Sequence, residues 1–124
     1  MLKRLFITIV VFACFANVIA QVNTAMEVNV HKISLPKSTK ISSGELYKIF
    51  YPDINIFHVE INEKNNQIKI ISRPQVSREN IEANLKKNKV NFSALQSEKI
   101  IMEAYEVEQK ALERNRQKQI LNIK

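Results

Sequence analysis

The sequence predicts an α+β fold with the element order β-α-β-β-α-β and an additional C-terminal helix. Three observations predict it. Apolar and polar residues alternate with period two over Phe57–Ile61 and again over Gln67–Ile70, a capping serine precedes each of two short amphipathic segments, and a helical period begins at Ser97. The 124 residues suffice for one domain with a modest core.

The first twenty residues differ in composition from the rest. Lys3 and Arg4 precede an apolar run from Leu5 to Ala16, and Val18-Ile19-Ala20 follows. This pattern predicts a secretory signal peptide in residues 1–20, cleaved after Ala20, and a secreted or periplasmic protein. A retained anchor is the alternative, although the run is shorter than the roughly 20 residues that a membrane-spanning helix needs.

The only cysteine, Cys14, lies within this apolar run. Lipidation of Cys14 is a second alternative, but Phe12 is bulky where lipoprotein signals have small residues. If cleavage follows Ala20, the mature chain has no disulfide, no catalytic thiolate and no cysteine metal site.

The positive charge is concentrated in one stretch. The chain has a formal net charge of +7, and loss of Lys3 and Arg4 leaves 17 basic against 12 acidic residues, or +5. Residues 64–97 carry seven basic and two acidic side chains. Such a patch outside the cytoplasm favours acidic partners, such as anionic lipid head groups, polysaccharide or protein, over nucleic acid. A lysine-rich soluble surface is the simpler alternative.

The first strand and helix are predicted from local patterns. Residues 26–31 alternate, which predicts a strand with Met26, Val28 and Val30 facing inward. Residues 32–43 lack periodicity and form a loop. Ser42 is the expected cap of a helix whose apolar face is completed by Phe50, and Pro52 ends it.

The next two strands form a hairpin. Phe57–Ile61 and Gln67–Ile70 alternate on either side of the turn Glu63–Asn66. Closing the hairpin on this turn places Ile61 opposite Ile68, Val59 opposite Ile70, and Glu60 opposite Lys69. All the apolar partners then share one face.

A second helix, a fourth strand and a long helix complete the pattern. Ser77 is the expected cap of the second helix, Ile81 and Leu85 face the core, and Asn88 suits the left-handed closing conformation. Residues 90–94 alternate as a strand. A helix is predicted over 97–119, with an apolar stripe of Ile100, Ala104, Val107 and Ala111 and a tail at 120–124, and residues 114–124 are expected to fray. The stripe is thin, so we expect it to pack along the domain or against another chain.

This element order predicts a ferredoxin-like β-α-β-β-α-β antiparallel sheet in residues 21–96. A right-handed crossover makes the first two strands parallel and places the third between them. Both short helices are expected to cover one face, above Val28, Val30, Phe57, Val59, Ile61, Ile68, Ile70, Val90 and Phe92. The other face is expected to be polar, with Lys69, Ile71 and Arg73 exposed on the third strand.

The chain resembles the heavy-metal-associated (HMA) domain family over about 70 residues. The likeness lies in Val59–Asn62, Gln67–Ile70, Val76–Ile81, Leu85–Lys87 and Val90–Phe92. The resemblance implies the ferredoxin-like fold. Members of the family carry soft metals on a C-x-x-C motif between the first strand and first helix, but the corresponding loop here, Lys32–Ser43, has no cysteine. We therefore expect the fold without this cofactor.

Histidine and methionine offer weak alternatives for a metal. His31 and His58 are the only histidines. They are predicted to be solvated on strands about 10 Å apart and offset lengthwise, so they cannot share one ion. Met26 and Met102 are expected to pack in the protein and not to bind copper. A copper or zinc protein that uses non-cysteine ligands, completed by dimerisation or a partner, remains the alternative function.

No set of residues has the spacing of a catalytic site, which predicts a protein that is not an enzyme. The single glycine, Gly44, excludes a glycine-rich phosphate loop. RNA-binding sheets of this class need stacking aromatics on the open face, and the predicted positions have none, which argues against nucleic acid.

The leading hypothesis is a secreted or periplasmic, non-catalytic module that binds a protein partner or itself. The candidate partner-binding residues are Lys69, Ile71, Arg73, Arg78, Lys86, Lys87, Lys89, Ile100, Ala104 and Val107. They lie on the polar sheet face, the basic second helix and the C-terminal stripe. A basic protein associated with an anionic membrane surface is a further alternative.

Overall fold

Four strands and three helices follow one another in residues 24–123, the part of the chain that the computed structural model describes. They are β1 (Ala25–Ser34), α1 (Ser43–Phe50), β2 (Ile56–Asn62), β3 (Gln67–Ser72), α2 (Arg78–Lys87), β4 (Ala94–Glu103) and α3 (Ala104–Ile120). The expected signal peptide, residues 1–20, lies outside the described residues. No helix within 24–123 has the length and apolar character to cross a membrane.

The strands form one sheet in the order β2-β3-β1-β4, and every neighbouring pair is antiparallel. The α+β class and the antiparallel sheet predicted from the sequence are confirmed. Strand β3 lies between β1 and β2. Its central position brings the side chains of β1 and β2 to either side of it.

The hairpin of β2 and β3 has the predicted register. Ile61 pairs with Ile68, Val59 with Ile70, and Glu60 with Lys69. The turn closes through Asn66, whose φ of 49° is in the left-handed region that asparagine tolerates. One irregularity follows: Ile56 pairs with Ser72 and His58 with Ile71, so Phe57 is the extra residue of a bulge.

Both short helices begin at the predicted caps. The Ser42 hydroxyl accepts a hydrogen bond from the Glu45 amide at 3.2 Å, and Ser77 forms a reciprocal capping box with Asn80. After α2 it is Lys89, with φ 58°, that takes the left-handed conformation, whereas Asn88 has φ −95°. The prediction for Asn88 was therefore wrong by one residue.

The boundary before the last helix was also wrong. Strand β4 runs over Ala94–Glu103 and pairs with the whole of β1, so the helix expected from Ser97 begins at Ala104, and residues 90–93 belong to the connection before β4. Pairing with β1 supplies backbone hydrogen bonds along the full strand, and this outweighs the helical spacing of a few apolar residues.

Helices cover both faces of the sheet, in contrast to the predicted single layer. On the first face, Ile33, Val59, Ile68, Ile70 and Leu95 pack with buried residues of α1 and α2. We call the second face the α3 face. It carries a separate apolar cluster of Val28, Val30, Phe57, Ile71, Met102 and Val107. The placement of Val28, Val30 and Phe57 beneath the short helices was wrong.

Polar side chains fix the C-terminal half of α3 to the domain. The buried Arg114 donates from Nη2 to the carbonyl oxygens of Tyr51 at 3.1 Å and Asp53 at 3.3 Å. Gln117 accepts from the Tyr51 hydroxyl and donates to the Tyr47 hydroxyl. The helix therefore runs from the end of β4 across the α3 face to the β2 side.

Candidate functional site

The predicted basic patch is divided between the two sides of the sheet. Lys69 and Arg73 lie on the α3 face, and Arg78, Lys86, Lys87 and Lys89 lie on α2 and just after it. Arg73 stacks over the Phe57 ring at 5.0 Å. The structure thus does not bring the six basic residues together on one surface.

Three residues of α2 form a local ion-pair network. Glu82 contacts Arg78 at 3.4 Å and Lys86 at 3.0 Å, each one helical turn away. Arg78 also donates from Nε to the carbonyl oxygen of Leu95 at 3.1 Å. These two basic side chains therefore have intramolecular partners, whereas Lys87 and Lys89 are exposed.

The apolar candidates belong to the core and are not free for a partner. Ile71 is 1% exposed and Val107 is 3% exposed, because α3 covers the face that was predicted to be open. Ile100 packs half-buried against the same cluster from β4, and Ala104 is half-buried at the start of α3. The apolar stripe of the helix therefore contacts its own domain.

His31 is fully buried on the first face, so the prediction of a solvated ring was wrong. Its Nδ1 lies 2.6 Å from the Ser97 hydroxyl and its Nε2 lies 3.0 Å from the Ser72 hydroxyl. Because Ser72 donates its proton to the carbonyl oxygen of Arg73, it must accept from Nε2–H, and Nδ1 accepts from Ser97. Burial lowers the pKa of His31 to about 4.

His58 is also buried, at 3% exposure, but on the α3 face. Its Nδ1 lies 3.3 Å from Glu60, and its Nε2 lies 3.1 Å from Glu113 of α3. Lys110 holds the same Glu60 oxygen at 2.9 Å. Burial lowers the pKa of His58, and the two carboxylates oppose this shift. The cluster thus ties α3 to β2.

Neither histidine belongs to a metal-binding cluster. The two rings lie on opposite faces of the sheet, so they cannot share an ion. Glu60 and Glu113 contact opposite nitrogens of the His58 ring and do not converge on one point. Among residues 24–123, no group of three or more histidine, cysteine, aspartate or glutamate side chains is arranged to hold a metal ion.

An open cavity of about 630 Å³ lies on the α3 face beside the β2–β3 turn. We call it the lysine basin and define it by its polar lining residues, which are Lys32, Glu60, Asn62, Glu63, Lys64, Gln67 and Lys69. It lies beyond the part of the face that α3 covers. It exceeds four other cavities within residues 24–123, whose volumes are about 290 to 480 Å³.

Two lysines stand side by side in the basin. Lys32 of β1 pairs directly with Lys69 of β3, and its partner on the other side is the neutral Gln96 of β4. Lys69 has Glu60 as its second neighbour, and Glu60 also contacts Lys110 at 2.9 Å. Partial burial opposes the ionisation of Glu60, but Lys110 and Lys69 both favour it and the pKa of this carboxyl group is lowered. Like charges on directly opposed residues destabilise a sheet, so this pair has a cost that an anion would remove.

A second cavity of about 290 Å³ adjoins the basin at the hairpin end. The two share four lining residues: Ile61, Asn62, Glu63 and Gln67. The second cavity also reaches Lys40 in the loop between β1 and α1. An extended ligand could therefore lie along both cavities and contact lysines at each end.

Lys32 was not predicted as a site residue, because the sequence pattern placed it in the loop after β1. The alternation of Met26, Val28 and Val30 continues to Lys32, and extending the strand would have placed it on their face. Lys110 carried no comparable signal, since its contact with Glu60 spans 50 residues. The contact between Lys110 and Glu60 becomes apparent only from the packing of α3 against β2.

No family model matches the chain, and no curated protein sequence matches it.

Proposed function

We propose that the protein is a secreted or periplasmic, non-catalytic module that binds acidic segments of another protein in the lysine basin. The observation that carries this proposal is the direct pairing of Lys32 with Lys69 at the open end of the α3 face. The fold that we propose for it is the ferredoxin-like domain of the HMA type.

A carboxylate is the ligand that best fits two adjacent ammonium groups. Bound between Lys32 and Lys69, it would replace their repulsion by two charge-assisted hydrogen bonds. The amide side chains of Asn62 and Gln67 line the same cavity and can both donate and accept. An acidic polypeptide offers both carboxylates and backbone amide groups to such a surface.

The distribution of charge favours a protein partner over a membrane. A flat anionic surface can contact only one side of the domain at a time, and the basic residues are divided between the α3 face and α2. The basin is concave and also contains Glu60 and Glu63. Mixed charges in a cavity suit a discrete acidic segment better than a continuous layer of head groups.

The resemblance to HMA domains bears on the fold in this proposal and not on their chemistry. Strand β3 between β1 and β2, with a capped helix after each of β1 and β3, supports the ferredoxin-like assignment. Titration with Cu(I), Cu(II) and Zn(II) tests the metal-handling alternative, which binding tighter than about micromolar would favour.

The test compares two double variants that lose the same charge from different places. Lys32→Gln with Lys69→Gln alters the basin, and Lys86→Gln with Lys87→Gln alters α2. In calorimetric titration with poly-L-glutamate, we expect the basin variant to bind about tenfold more weakly, since about 1.4 kcal/mol is lost. The α2 variant should bind like wild type.

Two results would count against the proposal. Equal weakening in both variants would indicate attraction to overall charge. Stronger binding to anionic vesicles than to poly-L-glutamate, with both variants affected, would favour the membrane alternative.

A further inference from the structure

The outward side of α3 carries a stripe of exposed residues. We define the outer stripe as Tyr105, Glu108, Leu112, Arg116 and Gln119, which are all exposed. They follow one another at helical spacings of three, four and seven, so they lie along one side. Tyr105 is 58% exposed and Leu112 is 51% exposed.

The charges of the outer stripe are symmetric in position about Leu112 and opposite in sign. Glu108 lies four residues before Leu112 and Arg116 lies four residues after it. With a rise of about 1.5 Å per residue, each charge is about 6 Å from Leu112 along the helix axis. Within residues 24–123, neither charge has an ion-pair partner.

The inner side of the same helix differs in this respect. Lys110 contacts Glu60 and Glu113 contacts His58, so these two charges are paired with groups of the domain. Glu108 and Arg116 have no such partner among residues 24–123. The helix dipole favours the general placement of acids early and bases late, but it does not account for an exposed leucine midway between them.

We propose that α3 pairs with the α3 helix of a second copy of this chain, antiparallel, about a two-fold axis that passes at Leu112. In this arrangement the two Leu112 side chains meet at the axis. Glu108 of each copy lies level with Arg116 of the other, and Tyr105 lies level with Gln119. Because the interface is symmetric, the charge pair forms twice.

The pairing is a weak one. Two 17-residue helices bury less than the about 1,600 Å² of a standard interface, so we expect a dimer that dissociates on dilution below about 0.1 mM. The outer stripe shares no residue with the lysine basin. The inference therefore goes beyond the proposed function, and either can hold without the other.

A thiol at the axis tests the geometry directly. In a Cys14→Ser background, Leu112→Cys places the two introduced thiols together at the axis, and mild oxidation should give a disulfide-linked dimer. Gln119→Cys is the matched control, because it is equally exposed on the same stripe. Its two thiols would lie about 20 Å apart along the axis, which no disulfide spans.

Charge reversal tests the pairing without a covalent bond. By sedimentation, Glu108→Arg or Arg116→Glu alone should raise the dimer dissociation constant about fivefold or more, and the double variant should restore it to within about twofold of wild type. Wild-type chain that stays monomeric up to about 1 mM, or equal disulfide yields from the two thiol variants, would overturn the proposal.

Discussion

At the scale of single residues, the two histidines show which groups surround the buried polar side chains of this core. His31 lies between two hydroxyls that satisfy a neutral ring, and His58 lies between two carboxylates beneath α3. Asn29 is likewise buried, and its amide donates to the carbonyl oxygens of Pro74 at 3.0 Å and Val76 at 2.8 Å. These hydrogen bonds allow polar residues to alternate along β1 although both of its faces are covered.

Burial of His31 makes stability depend on pH. Its pKa is about 4 in the folded protein and about 6.5 when unfolded, so the unfolded state binds the proton more tightly. The stability contributed by neutral His31 is complete above pH 6.5 and is lost as the pH falls towards 4. Between pH 7.5 and 4.5 this one group should lower the free energy of unfolding by about 2 to 3 kcal/mol.

Urea unfolding at several pH values measures this effect. His31→Gln can keep both hydrogen bonds but cannot titrate, so its stability should fall less steeply over the same range. The comparison is between slopes, because the substitution can also change stability at neutral pH. Parallel slopes for the two proteins would show that His31 is not the titrating group.

At the scale of elements, the register of the β2–β3 hairpin could be predicted from the sequence. For β1, the alternation could be predicted but the location of its polar side chains could not. Each partner in the hairpin is close in sequence, so alternation and turn composition determined its register. In β1 the alternation was recognised, but its polar positions were assigned to solvent. The long-range hydrogen bonds of Asn29 and His31 reverse that assignment, and the bulge at Phe57 moves this side chain to the α3 face.

The end of β4 shows a second limit of sequence reasoning. Ile100, Ala104 and Val107 have the spacing of a helix, but Ile100 belongs to a strand that pairs with Val28, about 70 residues away. A short apolar pattern can fit the period of a helix or that of a strand, and here a contact between residues distant in sequence decides between them. Because long-range contacts are not visible in a local pattern, the sequence also did not indicate that α3 covers the second face of the sheet.

Docking of α3 can be tested at its buried apolar side chain, Val107. Val107→Ala leaves space among Phe57, Ile71 and Met102, and should lower the free energy of unfolding by about 2 kcal/mol. Leu112→Ala on the outer stripe removes a comparable side chain from an exposed position. Its effect should stay within about 0.5 kcal/mol in dilute solution. Equal effects of the two substitutions would contradict the packing described for this helix.

At the scale of the whole molecule, the path of α3 determines where the lysine basin lies. The helix begins at Ala104, beside the Met26 end of β1, and reaches β2 through Lys110. It therefore covers Val28 and Val30 but leaves the other end of β1, at Lys32, open. The sequence predicted a basic module without a metal motif, but the location of the basin depends on this long-range packing.

We propose that Lys32 and Lys69 together bind an acidic ligand and that their mutual repulsion lowers the stability of the unliganded protein. Thermal unfolding of wild type and Lys32→Gln, each with and without poly-L-glutamate, measures both effects. Without ligand, we expect the variant to be as stable as wild type or more stable by about 1–3 °C, because the like-charge pair is removed. Poly-L-glutamate should raise the melting temperature of wild type more than that of Lys32→Gln. A variant that is less stable alone, or that gains as much from the ligand as wild type, would contradict the claim.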